Sequence, residues 1–112
     1  MKILLDENLP IKLRSHIARQ HQIHTVREMD WLGKRNGELL GLMILEGFDG
    51  FVTIDKNLRH QQNLDRFPLL IFILDAPDNR IATLEPFIVK LNVLLDAPSV
   101  AQITLVEVSD SL

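Results

Sequence analysis

Residues 69–75 read Leu69-Leu70-Ile71-Phe72-Ile73-Leu74-Asp75: six apolar residues in a row, then an acid. A strand with one wet face alternates apolar and polar residues. This run does not alternate, so both of its faces must be covered, as in a parallel sheet flanked by helices. Two other strand-like stretches also end in aspartate, and the first of them is likewise unbroken. Ile3-Leu4-Leu5 runs into Asp6, and Phe51-Val52-Thr53-Ile54 runs into Asp55. Ile23–Val26 and Ile103–Val108 complete a set of five strand-like segments.

The segments between them carry helical signals. Pro10 suits the first turn of a helix, where its missing N–H is no loss. Ile11, Leu13, Ile17 and Ala18 follow, with Lys12, Arg14 and Arg19 between, so a helix is expected from about 10 to 20. Arg27–Arg35 is irregular. Asn36 is a good N-cap, Leu39, Leu40, Met43 and Ile44 have helical spacing, and Gly47 fits a C-cap. A short helix holding Gln61 and Gln62 is expected after Asp55. Leu84, Phe87, Ile88, Leu91, Leu94 and Leu95 mark a long helix over 80–96, with Pro86 early enough to be tolerated. Strands that alternate with helices imply right-handed crossovers. The expectation is a single α/β domain over 1–112: a mostly parallel sheet of about five strands, with helices on both faces.

Composition narrows the function classes. No apolar run reaches the roughly 18 residues that span a bilayer, so no membrane partner is expected. The start has no secretory-signal pattern, and there are no cysteines, which removes disulfides and thiolate zinc sites and fits a reducing cytoplasm. The net charge is −3, but it is unevenly spread. Residues 1–66 hold ten Lys/Arg against nine Asp/Glu, and residues 67–112 hold two against six. A nucleic acid would have to be held by a local basic patch in the first half.

The three strands that end in aspartate carry the chemical argument. In a parallel sheet all carboxyl ends lie along one edge, and that edge binds ligands. Neighbouring strands are about 4.8 Å apart, so Asp6, Asp55 and Asp75 can converge there. Glu38, in the first turn of its helix, can approach the same edge. Each of them alone also reads as an ordinary turn or helix-dipole residue. Together they repel one another unless a cation sits between them, and all-oxygen donors select Mg²⁺ or Mn²⁺. Such a pocket suits phosphodiester chemistry. His16, His21, His24 and His60 show no ligand spacing. Trp31, beside Met29, reads equally as core or as an anchor for a partner.

Three stretches carry a family likeness: LLDENLP, NGELLGLMILEGFDGFVTIDKNLRHQQNL and FILDAPDN. They resemble a small group of PIN-like domain proteins, similar to the toxin ribonucleases of bacterial toxin–antitoxin pairs. The likeness runs from Lys2 to about Val108, and D-E-N-L-P and T-I-D-K-N-L are its most specific parts. It implies a three-layer PIN-like fold and a Mg²⁺- or Mn²⁺-dependent endoribonuclease. The acid after the first strand maps to Asp6, the T-x-D acid to Asp55, and the helix-start acid to the Asn36-Gly37-Glu38 stretch, hence Glu38. These three would be the catalytic metal ligands. PIN nucleases usually show four acids, and Glu7 or Asp75 would supply the fourth. Lys12, Arg14, Lys34, Arg35, Lys56 and Arg59 would contact the RNA backbone. An antitoxin protein and a second copy of the chain are the implied protein partners.

Two readings of other classes use the same residues. One is a PIN-like protein-binding module without activity. The other is a phospho-accepting receiver domain, with Asp6-Glu7 as acidic pair and Asp55 as acceptor. A receiver needs a lysine at the end of the fifth strand, and Val106-Glu107-Val108-Ser109-Asp110 offers none.

Overall fold

A computed structural model describes residues 1–61, 63–97 and 101–108. Gln62, Ser109 and Asp110, named above, lie outside the described residues. The five expected strands all form: β1 (Lys2–Leu5), β2 (Gln22–Thr25), β3 (Gly50–Thr53), β4 (Leu70–Leu74) and β5 (Ile103–Val106). They make one sheet in the order β2-β1-β3-β4-β5, and every pairing is parallel. Two α-helices join them: α1 (Asn36–Leu45) between β2 and β3, and α2 (Ile81–Asp96) between β4 and β5. The expected α/β architecture with a parallel sheet of five strands is therefore present.

The unbroken apolar runs are explained by burial on two sides. Successive side chains of a strand point to opposite faces. Ile3, Leu5, Val52, Phe72 and Leu74 join one apolar cluster, with Leu84, Phe87, Ile88 and Leu91 of α2. Leu4, Phe51, Ile71 and Ile73 join a second cluster, with Leu39, Leu40 and Met43 of α1. Trp31 belongs to the second cluster, edge-on to Phe48 at 5.9 Å, so its role in this fold is core packing.

Three local expectations are adjusted. The stretch expected as a helix over 10–20 is a shorter 3₁₀ helix, Ile11–His16, with Pro10 and Ile17 extended on either side. Asn92 of α2 decides where it stops. Its Oδ1 accepts from the Ala18 N–H at 2.9 Å, and its Nδ2 donates to the His16 carbonyl at 3.0 Å. Both main-chain groups are thereby satisfied from another element, so continued helix is unnecessary. The cap of α1 falls on Arg35, with Asn36 as the first helical residue and no side-chain cap bond. Gly47 follows the C-cap rather than forming it. Its left-handed φ of 77° lets Phe48 N–H reach Met43 O at 2.9 Å and Gly47 N–H reach Ile44 O at 3.1 Å, which is a Schellman closure. Two further 3₁₀ helices, Lys56–His60 and Leu64–Arg66, connect β3 to β4.

Candidate functional site

The strand order sets the place. From β1 the chain crosses over to β2 on one side, and β3 then returns to the other side of β1. The point where the order reverses lies between β1 and β3, and in open parallel sheets the crevice at the carboxyl end of that point is where ligands bind. Asp6 and Asp55 follow those two strands. The Asp6 N–H bonds to Val52 O at 2.9 Å, which continues the ladder one step past β1 and sets Asp6 beside Thr53.

Thr53 ties the two acids together. It is fully buried. Its hydroxyl donates to Asp6 Oδ2 at 2.7 Å and accepts from the Asp55 N–H at 3.0 Å. Asp6 Oδ1 also accepts from the Glu7 N–H at 2.8 Å. Asp55 Oδ1 accepts from the Asn57 N–H at 3.0 Å, which caps the 3₁₀ helix after β3. The sequence reading did not single out Thr53. Its signal is the spacing of two in Thr-x-Asp, which puts both residues on the same side at a strand end.

Asp6 is half-buried and its pKa is raised. Burial is the main cause. The bonds from Thr53 and from the Glu7 N–H oppose it, and the negative charges of Glu7 and Asp55 add to it. A half-buried carboxylate beside a second one is an arrangement that a divalent cation relieves, and the donors are hard oxygens.

The other expected acids stand differently. Glu38 is in the first turn of α1, its side chain is 60% exposed, and its Oε1 lies 3.8 Å from Lys34 Nζ. Glu7 Oε1 accepts from the Gly33 N–H at 3.3 Å and so ties the irregular loop to the edge. Asp75 pairs with Lys56 Nζ at 3.1 Å, and the same Nζ donates to Ala76 O at 3.3 Å. Lys56 thus joins the end of β3 to the end of β4. Among the described residues, no group of three or more His or acidic side chains is gathered to hold a metal ion. Thr53 links the Asp6 carboxylate to the Asp55 main chain, and Glu38 is paired with Lys34.

Among the expected RNA contacts, Lys12, Arg35 and Arg59 are exposed. Arg14 pairs with Glu28 at 3.2 Å. Arg59 Nε donates to His60 Nε2 at 3.3 Å. Gln61 caps the end of its 3₁₀ helix and is exposed. His24 stacks edge-on against Phe48 at 5.5 Å. An open hollow of about 340 Å³ lined by Asp65, Phe67, Pro68, Leu69, Leu70 and Gln102 lies at the amino ends of β4 and β5, the end opposite Asp6 and Asp55. Among the described residues, no helix is long and apolar enough to cross a membrane.

Comparison with protein-family models, with curated proteins and with solved structures finds no match.

Proposed function

We propose that this chain is a metal-dependent endoribonuclease of three-layer, PIN-like type, acting in the cytoplasm as the toxin of a toxin–antitoxin pair. The observation that carries the reading is the Thr53 bridge, which joins Asp6 and Asp55 at the reversal point of a parallel sheet. Asp6 and Asp55 would hold the metal, and Glu38 would complete the set if it left Lys34. When bound there, Mg²⁺ or Mn²⁺ would supply charge neutralisation at the phosphodiester and a more acidic water. Thr53 keeps Asp6 Oδ2 oriented. Exposed Lys12, Arg35 and Arg59 take RNA phosphates, and Lys34 becomes available for the same use once Glu38 moves.

The test is cleavage of single-stranded RNA by wild type, Asp6→Asn and Asp55→Asn, each with and without Mn²⁺. Wild type is expected to cleave only with metal. The variants are expected to lose more than a hundredfold, since each removes a charged ligand worth several kcal/mol in the transition state at about tenfold per 1.4 kcal/mol. Equal cleavage by all three would assign the activity to a contaminant.

One observation favours a second reading. Glu38 is engaged by Lys34, and three acids are not gathered among the described residues. An inactive protein-binding module, with an antitoxin as partner, fits that arrangement. Absence of cleavage by pure wild type at saturating Mn²⁺ would select it.

A further inference from the structure

Away from the acidic edge, a second pocket of about 280 Å³ opens between the first 3₁₀ helix, the turn after it and edge strand β2. Arg14, Ser15, Arg19 and His21 line it over an apolar floor of Ile17 and Ile23. Its polar lining residues are therefore two arginines, a histidine and Ser15, whose hydroxyl already donates to Lys12 O at 3.0 Å. Arg19 has no carboxylate partner among the described residues. Arg14 is shared with Glu28 in a half-exposed pair, which is worth little and is easily exchanged.

His21 adds an independent sign. Its Nδ1 lies 3.2 Å from the main-chain nitrogen of Met1, which is a donor, so Nδ1 accepts. In the neutral ring the proton then sits on Nε2. That Nε2 is buried and has no hydrogen-bond partner among the described residues. A buried donor without an acceptor is costly, and an oxyanion is the strongest acceptor available to it. The pKa of His21 is lowered, by burial first and then by the positive charge at Met1, while Asp96 at the end of α2 pulls the other way. The acids flanking the pocket are Asp96, which Gln20 Nε2 engages at 3.0 Å, and Glu28, which Arg14 engages.

We propose that this pocket is a phosphate-binding site, in which Arg14 and Arg19 clamp the oxyanion and a turn of the His21 ring brings its closed-off Nε2–H onto it. Arg14 exchanges Glu28 for the phosphate. The phosphate belongs either to a small phosphoester or to a phosphodiester of an RNA strand. The site is independent of the metal-dependent reading of the acidic edge, because it contains neither Asp6 nor Asp55.

The experiment is an NMR titration of the His21 ring and the Arg side-chain Nε–H groups, without metal. The additions are inorganic phosphate, a short single-stranded RNA, and chloride at matched ionic strength. Phosphate is expected to shift Arg14, Arg19 and His21 together and to raise the His21 pKa, while chloride does neither. Arg19→Gln is expected to weaken phosphate binding about tenfold, the loss of one charge-assisted bond. Exposed Arg66, outside this pocket, serves as the control, and Arg66→Gln is expected to leave binding unchanged. RNA that competes with phosphate at these resonances identifies the source as a nucleic-acid backbone. Phosphate binding that RNA does not displace identifies it as a small phosphoester. Equal shifts with chloride, or equal weakening by Arg19→Gln and Arg66→Gln, would overturn the proposal.

Discussion

Replacing Thr53 with valine tests the link between the two acids. The side chains have nearly the same shape, so packing at this fully buried position is preserved. Two hydrogen bonds are lost. The bond to Asp6 Oδ2, at 2.7 Å, is to a charged acceptor and is worth about 1.5–3 kcal/mol. The bond from the Asp55 N–H, at 3.0 Å, is worth about 1 kcal/mol, more if that donor stays dry. The half-buried Asp6 recovers part of its loss from water, and the deleted hydroxyl no longer has to be desolvated. The expected net cost is about 2–3 kcal/mol, or a melting temperature lower by roughly 8–12 °C for a domain of this size. Thr53→Ser keeps the hydroxyl and should lose only about 1 kcal/mol, from the deleted methyl. The two variants separate further at Asp6. The Thr53 bond holds the Asp6 pKa down against burial, so Thr53→Val should raise it and Thr53→Ser should not. Denaturant unfolding measures the first quantity and carboxyl NMR of Asp6 the second. If valine and serine leave Asp6 titrating alike, the hydroxyl does not bridge the acids, and the argument for a joint site loses its support.

Two further outcomes follow from the same contacts. Asp6→Asn should fold, and its stability relative to wild type should rise with pH. The folded pKa of Asp6 is raised, so between the unfolded value near 3.8 and the folded value the native state holds more protons and wild-type stability falls as pH increases. Melting curves of both proteins across the acid range would show it, and a difference independent of pH would refute it. Asn92→Ala should cost about 2 kcal/mol, because it strips partners from both the Ala18 N–H and the His16 carbonyl. Asn92→Asp should recover only the Ala18 bond, and equal unfolding midpoints for the two variants would show that the cap on the 3₁₀ helix is not energetically coupled to α2.

Some of this protein was determined by the sequence itself. Apolar runs such as Leu69–Leu74 have no period of two, and that requires cover on both faces, hence a parallel sheet with crossover helices. The aspartates that end those runs had to share an edge, because parallel strands all point one way. Tertiary structure decided the rest. Which strands are neighbours depends on long-range packing, and it is the pairing of β1 with β3 that puts Asp6 next to Thr53. The first helical stretch shortened because Asn92, 74 residues from Ala18, offers its main chain better partners than another helical turn. Glu38 carries a helix-start signal in the sequence, yet its side chain goes to Lys34, four residues earlier on the same surface, where the two charges meet at no cost in burial. Pattern along the chain reports which backbone regions must be buried. The choice of partner for each polar side chain is made by groups distant in sequence, and local periodicity carries no record of it.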